Sequence, residues 1–339
     1  MIRLKKNAVI GHRGSSKDQF QANWSVIFFI GGMHLLGLTL WPLYVILTGS
    51  IQWAEVLVFC GMMFLGFLGI GVGYHRAFSH RAHRPNQFLR ILSLIAGAST
   101  AEGSAIVWCA DHRRHHRHED TDRDPYNVKR SFWWAHMGWM FGGPMTTDFS
   151  NCRDLERDPW VRHQHHYYLF WMLGACFGIP LLAGFLLGRP LEALLLAGFT
   201  RLFVFQQLTY LINSMAHYMG RRPYCDQITA RDSLICAILT SGEGWHNYHH
   251  RFPFDYRNGH RWYHWDPTKW LIQFCWLLGL TKDLKTTRPE AVEAAKEAVR
   301  KNRQSSSETH WDEKLEEKWD EFKALTNQEP STARPSQRN

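Results

Sequence analysis

The 339-residue chain carries 39 Lys and Arg against 30 Asp and Glu, a net charge of +9, together with 20 histidines. Its mean hydropathy is mildly negative, yet the apolar residues arrive in long blocks between very polar loops, which excludes an ordinary soluble globule. The basic residues are interleaved with histidine and tryptophan beside those blocks, so anionic lipid headgroups or an acidic protein fit them and nucleic acid does not; seven single cysteines without a Cys-x-x-Cys pair exclude an iron–sulfur or rubredoxin-like module and a disulfide framework.

Residues 1–24 form a basic segment without an apolar core or a small-residue cleavage site, so no removable signal peptide is expected. Four membrane spans follow, at about 25–49, 51–74, 167–187 and 193–215, each near the 20 or so apolar residues that cross a hydrocarbon core. The first and third contain no Asp, Glu, Lys or Arg; the second holds only Glu55 and the fourth only Arg201. Short joints at Ser50 and at Gly188-Arg189-Pro190 pair the spans as two hairpins, which puts both chain ends and the middle loop on one side. That side holds Arg3, Lys5, Lys6, Arg13 and Lys17 before the first span and Arg76, Arg81, Arg84, Arg113, Arg114 and Arg117 in the middle loop, whereas the opposite joints offer Arg189. Positive residues mark the cytoplasmic side. Beyond the membrane domain, 25–280, residues 281–326 read as a charged cytoplasmic helical tail, with a helix from Pro289 to Arg303, a linker at Ser305–Ser307, and an amphipathic helix bearing Trp311, Leu315, Trp319 and Phe322 that is expected to rest on the domain or on headgroups. Residues 327–339 are expected to be disordered. No repeat of fixed period is present.

Nine histidines fall in a pattern on the cytoplasmic side: His75-x4-His80, His112-x2-His115-His116, a single His217, and His246-x2-His249-His250. Positions i, i+3 and i+4 of a helix share a face, so each His-x-x-His-His box can converge on one point, and two such helices can face each other across a metal pair. His75 and His80, five apart, do not align on a straight helix but can where the second span ends and the chain turns. Histidines are common at membrane interfaces, and for His83, His118, His136, His163, His165, His166, His260 and His264 a structural role is the expectation. For the nine, metal binding is. An all-imidazole set suits iron, copper, zinc or nickel, and ligand softness alone does not separate them. A hydrolytic zinc site uses three protein ligands; eight or nine histidines imply two ions, and two redox-active irons can use dioxygen against an unactivated alkyl chain. The carboxylate type of di-iron protein needs two Glu-x-x-His motifs. Only Glu243-x-x-His246 fits, so Glu243 is expected to orient a box histidine.

His75-Arg-Ala-Phe-Ser-His80, Trp108-Cys-Ala-Asp-His112-Arg-Arg-His115-His116, Asn213-Ser-Met-Ala-His217 and Gly242-Glu-Gly-Trp-His246-Asn-Tyr-His249-His250 with Phe252-Pro-Phe-Asp-Tyr256 resemble the membrane fatty-acyl desaturases of the stearoyl-CoA, or delta-9, type. The resemblance covers roughly Gly31 to Leu280. It implies an all-α integral membrane fold of four transmembrane helices with a cytoplasmic helical cap holding a di-iron site, the nine box histidines as ligands, and Asn213 reaching one iron through water. It also implies a bent tunnel for the acyl chain, with Trp108 and Thr209 at the bend and Met63 and Phe67 at its far end. Animal members place an Arg-Lys pair after the His-x-Gly-Trp segment, whereas here His136-Met-Gly-Trp139 leads into Met140-Phe-Gly-Gly-Pro144. Asp148-Phe-Ser-Asn151 and Asp154-Leu-Glu-Arg-Asp-Pro159 are similar to bacterial members, so the acyl carrier stays open between CoA and lipid. Arg113-Arg114 and Lys129-Arg130 are the basic pairs able to meet carrier phosphates.

The sequence therefore reads as a fatty-acyl desaturase of a bacterial cytoplasmic membrane, with the active site facing the cytoplasm. It would insert a cis double bond near carbon nine using two Fe ions, dioxygen and an external electron donor such as a ferredoxin or cytochrome b5, since no His-Pro-Gly-Gly haem motif is present. A membrane di-iron hydroxylase of alkyl or acyl chains would keep the same site and add oxygen. A histidine-rich metal transporter would instead need ionisable groups along a path through the spans, where His34, Arg201, Gln206 and Gln207 are the polar residues found.

Overall fold

A computed structural model of the protein describes residues 22–142 and 146–305. The basic N-terminal residues, the helix expected around Trp311 to Phe322, residues 327–339 and all of the 305–307 linker except Ser305 lie outside the described residues. Among the described residues, four helices are long and apolar enough to cross a membrane: Trp24–Thr48, Trp53–Ser79, Tyr168–Leu186 and Pro190–Tyr218. The first is the least buried, and it turns Phe28, Leu35, Ile46 and Leu47 outward. Such a surface would be costly in water and suits lipid.

The two hairpin joints are tied together. Gly49, with φ +64°, takes the left-handed conformation that ends the first span, an arrangement cheap for glycine alone. Glu55 caps the second span by accepting from the Gln52 N–H at 2.6 Å and also accepts from Arg189 of the other joint at 3.2 Å. Arg189 also meets Glu192 at 3.6 Å, so the charges at the two joints are partners.

The second span does not stop at Tyr74. It continues to Ser79, and its last twelve residues, Leu68–Ser79, form a π-helix, all of them buried. Hydrogen bonding from i to i+5 brings residues five apart onto one face, and the His80 N–H donates to the His75 carbonyl at 3.2 Å. The turn expected here is thus a change of helical pitch. The short apolar helix Gln87–Ala98 packs along this segment through glycine: a Cβ on Gly69 would lie 2.2 Å from the Gly97 nitrogen, and one on Gly97 would lie 2.3 Å from the Tyr74 ring.

Arg201, Gln206 and His34 inside the spans hold a loop, and Gln207 meets His136. Arg201 donates to the carbonyls of Ala197 and Ser99, and Gln206 bridges the Thr100 carbonyl and His34, each at 3.0 Å. They satisfy the Ser99 and Thr100 carbonyls of the irregular backbone at 99–104 that leads into the helix Ala105–His118, where a buried carbonyl without a partner would be costly. The Ser104 side chain caps that helix, Gln164 accepts from the Ala105 N–H, and His165 bonds the Ser104 hydroxyl at 2.7 Å.

The cap is built from this helix together with Pro159–His166, Leu234–Leu239, His246–Arg251 and Pro267–Leu277, and from a two-residue antiparallel pairing of Arg84–Pro85 with Thr281–Lys282. Two of these helices, which carry no motif, expose apolar side chains: Leu234, Ile235 and Ile238 on one, Phe274 and Leu277 on the other. The tail returns to the domain. Its helix, 289–305, buries Val292 and Ala295 against Tyr224 and Tyr248, so it is fastened to the helix that carries the last histidine box.

Candidate metal centre

All nine box histidines come together, in a group of five and a group of four. His75, His80, His112, His116 and His249 form the first; His115, His217, His246 and His250 form the second, the ligand atoms of each lying within 4.8 Å of one another. The boxes do not each converge on one point, as helical spacing suggested. Each divides its histidines: the i, i+4 pair His112 and His116 goes to the first group and His115 to the second, while His246 and His250 go to the second and His249 to the first. Residues i and i+3 diverge enough around a helix to point at neighbouring centres when the partner helix approaches closely. The His116 and His250 rings stack at 4.1 Å where the groups meet.

The inward atoms are Nε2. In the first group the His80–His112 separation is 2.7 Å, and His249 lies 3.0 Å from both His75 and His116. In the second, His246 is 3.1 Å from His217 and from His250, with His115 and His250 at 3.4 Å. Two nitrogens each about 2.1 Å from one ion, at right angles, would be about 3.0 Å apart, so the spacing fits shared cations. The outer nitrogens give an independent test. His75 Nδ1 donates to Glu243 at 2.7 Å, His115 Nδ1 to Asp124 at 2.9 Å and His250 Nδ1 to Glu119 at 2.7 Å. A neutral imidazole that donates from Nδ1 has a bare lone pair at Nε2. His115 and His250 then aim two lone pairs at each other, which is unfavourable unless a cation lies between them.

Electrostatics keep six of these rings neutral. Burial, reinforced by the neighbouring histidines, holds His80, His112, His116, His249 and His250 well below the usual histidine range, and His246 falls to about 3. Glu243 is the reverse case. Burial alone would raise it, but Arg76 and His75 outweigh burial and hold it at about 2. Arg76 also donates to both Asp266 oxygens and to the Tyr256 carbonyl, and Asn258 donates to Glu243 at 2.6 Å. Glu243 therefore orients a box histidine, as its spacing suggested, though the histidine is His75 from another box and not its own His246.

The spacing pattern gave no sign of Glu119, Asp124, Asp120 or Thr229. His217 Nδ1 meets Thr229 Oγ1 at 2.9 Å, and that hydroxyl in turn donates to Asp120. Their only signal was acidity directly after the second box, in Glu119-Asp120 and Asp124. Five of the histidines expected to be structural have other partners: His136 bonds Ser214 and Gln207, His163 meets Trp171, His83 bonds Thr281, His260 bonds Tyr224, and His264 stacks on Trp245. Among the described residues, none of them joins either group.

Trp108 stacks on His112 at 5.0 Å, which puts its indole at the edge of the first group. Glu102 accepts from the Trp108 N–H at 3.3 Å and also meets Thr209; burial pushes this carboxyl up to about 8. Met63 and Phe67 pack against the central core cluster, Phe67 on Phe205 at 5.0 Å. Asn213 ends a helical stretch four residues before His217. Arg113 is not free to meet phosphate: its guanidinium donates to both oxygens of Asp154 and to the carbonyls of Asn151, Phe78 and Ser79, clamping the end of the π-helix. Arg114 pairs with Asp111 at 2.7 Å and bonds Thr146, and Lys129 stays exposed.

Residues 51–275 match the fatty acid desaturase family model, a segment that contains every box histidine. The chain is 42% identical over 279 residues to acyl-CoA desaturase 1 of Saccharomyces cerevisiae, an alignment covering 80% of this chain and 54% of that protein. It is 37% identical over 255 residues to stearoyl-CoA desaturase 5 of Homo sapiens, covering 73% and 76%, and 33% identical over 288 residues to sn-1 stearoyl-lipid 9-desaturase of Synechocystis, covering 83% and 86%. The chain spans about half the length of its two yeast relatives. Four membrane-length helices, a cap of converging imidazoles and a family match that takes in three of those helices and every box histidine lead to one assignment: the chain belongs to the fatty acid desaturase family.

Proposed function

We propose that this chain is a membrane fatty-acyl desaturase that holds two irons and introduces a cis double bond, near carbon nine, into a saturated acyl chain. Removal of one hydrogen from each of two adjacent carbons supplies two electrons and two protons. An external donor supplies two more electrons and solvent two more protons, and dioxygen leaves as two waters. Bound iron would supply the oxidant for an unactivated C–H bond. The protein's own residues do the rest.

His75, His80, His112, His116 and His249 would hold one ion and His115, His217, His246 and His250 the other, with Asn213 reaching the second through water. Glu243, Asp124 and Glu119 fix the rings by accepting from Nδ1, and Arg76 keeps Glu243 ionised. Trp108, beside His112, with Thr209 and Glu102 behind it, would wall the bend that presents one pair of carbons to the metals, and Met63 and Phe67 would close the far end. Position along a shaped wall then sets regiochemistry. The histidine side would face the cytoplasm of a bacterial inner membrane, with electrons from a ferredoxin or cytochrome. For the carrier, acyl-CoA is favoured by the names of the yeast and human relatives and an acyl-lipid by that of the cyanobacterial one.

The observation that carries this reading is the convergence of nine histidine ring nitrogens into two metal-sized groups in a chain of this family. The test is mass analysis of products from purified, iron-loaded protein given donor, dioxygen, and stearoyl-CoA or stearoyl phospholipid. A product two mass units lighter, which is loss of two hydrogens, is expected. A product carrying one added oxygen would replace desaturation by hydroxylation, and unchanged substrate would overturn both.

A further inference from the structure

The cap presents a face of net positive charge that the proposed chemistry at the histidines does not use. It is formed by the loop 220–231 and the helix 289–305 docked on it. The loop contributes Arg221, Arg222 and Arg231, and the helix contributes Lys296, Arg300, Lys301 and Arg303, against Asp226, Glu290, Glu293 and Glu297; Lys296, Arg300 and Lys301 pair with glutamates of their own helix, and a net positive balance remains. Between them runs an open groove lined by Pro223, Lys296, Val299, Arg300, Arg303 and Gln304. Arg231 sits below the usual arginine range, because of burial and then because of the Arg222 charge beside it. Within these two segments no large apolar side chain is exposed among the described residues, although Tyr218 and Met219 are exposed just before the loop, so the face suits water or a soluble protein.

The face also lies one layer of chain from the second histidine group. The Asn247 amide, between His246 and His249, accepts from the N–H groups of Tyr224 and Cys225 and donates to the carbonyls of Cys225 and Ala230. The Arg231 carbonyl accepts from the His246 N–H at 3.3 Å, and Thr229 bonds His217. The helix closes the arrangement by packing Val292 and Ala295 on Tyr224 and Tyr248.

We propose that this basic face is the docking surface for an acidic one-electron carrier protein, which delivers its electrons across the Asn247-bound loop toward His217, His246 and His250. The inference rests on the proposed desaturation for its need of two external electrons, each arriving as one reduced carrier becomes oxidised. Charge complementarity of this kind speeds encounter more than it tightens a complex.

The test uses the full chain in neutral lipid nanodiscs and an acidic plant-type ferredoxin with its reductase as probe. Three things are read: ferredoxin binding, its rate of oxidation under dioxygen, and product. Arg221→Glu/Arg300→Glu/Lys301→Glu is compared with Arg153→Glu, an exposed reversal on another part of the cap. The triple variant is expected to weaken ferredoxin binding and raise its KM by about tenfold or more, to lose most of the salt dependence seen in the parent, and to keep metal content and kcat at saturating donor. Arg153→Glu is expected to change none of these. Equal losses in both variants, or an unmoved KM in the triple variant, would overturn the docking surface. So would loss of binding to anionic vesicles with donor kinetics intact, which assigns the face to lipid headgroups. Charge-dependent donor oxidation without alkene would keep the surface and sink desaturation.

Discussion

Glu243 ties the histidine centre to the rest of the protein through single atoms. One of its oxygens takes the His75 proton and the Asn258 amide, and the other takes Arg76. Glu243→Gln keeps the shape but offers His75 an amide whose nitrogen cannot accept, and it leaves Arg76 with one carboxylate partner fewer. Loss of such an orienting group typically costs about 10- to 100-fold in metal affinity or activity. A fall of that size in iron retention against a chelator is expected, with the fold intact by far-UV circular dichroism; iron retention equal to the parent's would show that His75 orients itself. Glu102 gives a test of opposite sign. Burial raises its carboxyl from 4.5 to about 8, so the fold retains a proton that the unfolded chain releases above pH 4.5. Stability from this group is fully present below about pH 4.5 and declines as pH rises toward 8. Glu102→Gln removes that decline, and its advantage over the parent should grow by about 3 kcal/mol between pH 5 and pH 8. Unfolding midpoints in detergent at the two pH values measure it, and a difference that does not change with pH contradicts a protonated Glu102.

Among the elements, the π-helix at Leu68–Ser79 decides the most. It converts a five-residue spacing into one face and places His75 and His80 together without a turn. It depends on close approach of Gln87–Ala98, where glycines on both sides leave no room for a side chain. Gly69→Ala would set a Cβ 2.2 Å from a backbone nitrogen that has nowhere to go, and destabilisation at or above the usual 1–3 kcal/mol or so of overpacking is expected. Gly61→Ala, with nothing within 4 Å, is expected to be neutral. Equal thermal stability of the two variants would show that the helices do not need this contact. The membrane segments and the nine histidines were legible in the sequence because both are strong periodic or compositional signals. The pitch change was not, since nothing in Leu68-Gly-Ile-Gly-Val-Gly-Tyr74 distinguishes a π-helix from an α-helix by apolar content. Nor was the division of each box, because spacing along one helix says nothing of where a second helix approaches it. Glu119, Asp124 and Thr229 were invisible for the same reason: they meet their histidines through folding of loops and carry no motif of their own.

At the scale of the whole molecule, two membrane hairpins carry a cap whose histidines come from four separate stretches of chain. The hairpins are tied at one end by the Glu55–Arg189 pair, and at the other the second and fourth spans end in His75, His80 and His217. The tail helix, which the sequence presents as an extension, locks onto Tyr248 beside His249. Neither half of the protein can assemble the centre alone, so metal binding and global folding should be linked. The most direct measurement of this account is the iron content per chain of intact protein, purified in detergent from iron-replete cells and determined by elemental mass spectrometry against quantitative amino-acid analysis. Two irons per chain are expected, falling toward one in His217→Ala; a parent protein holding no iron, or a single ion that His217→Ala leaves in place, would contradict a centre made from two groups of histidines.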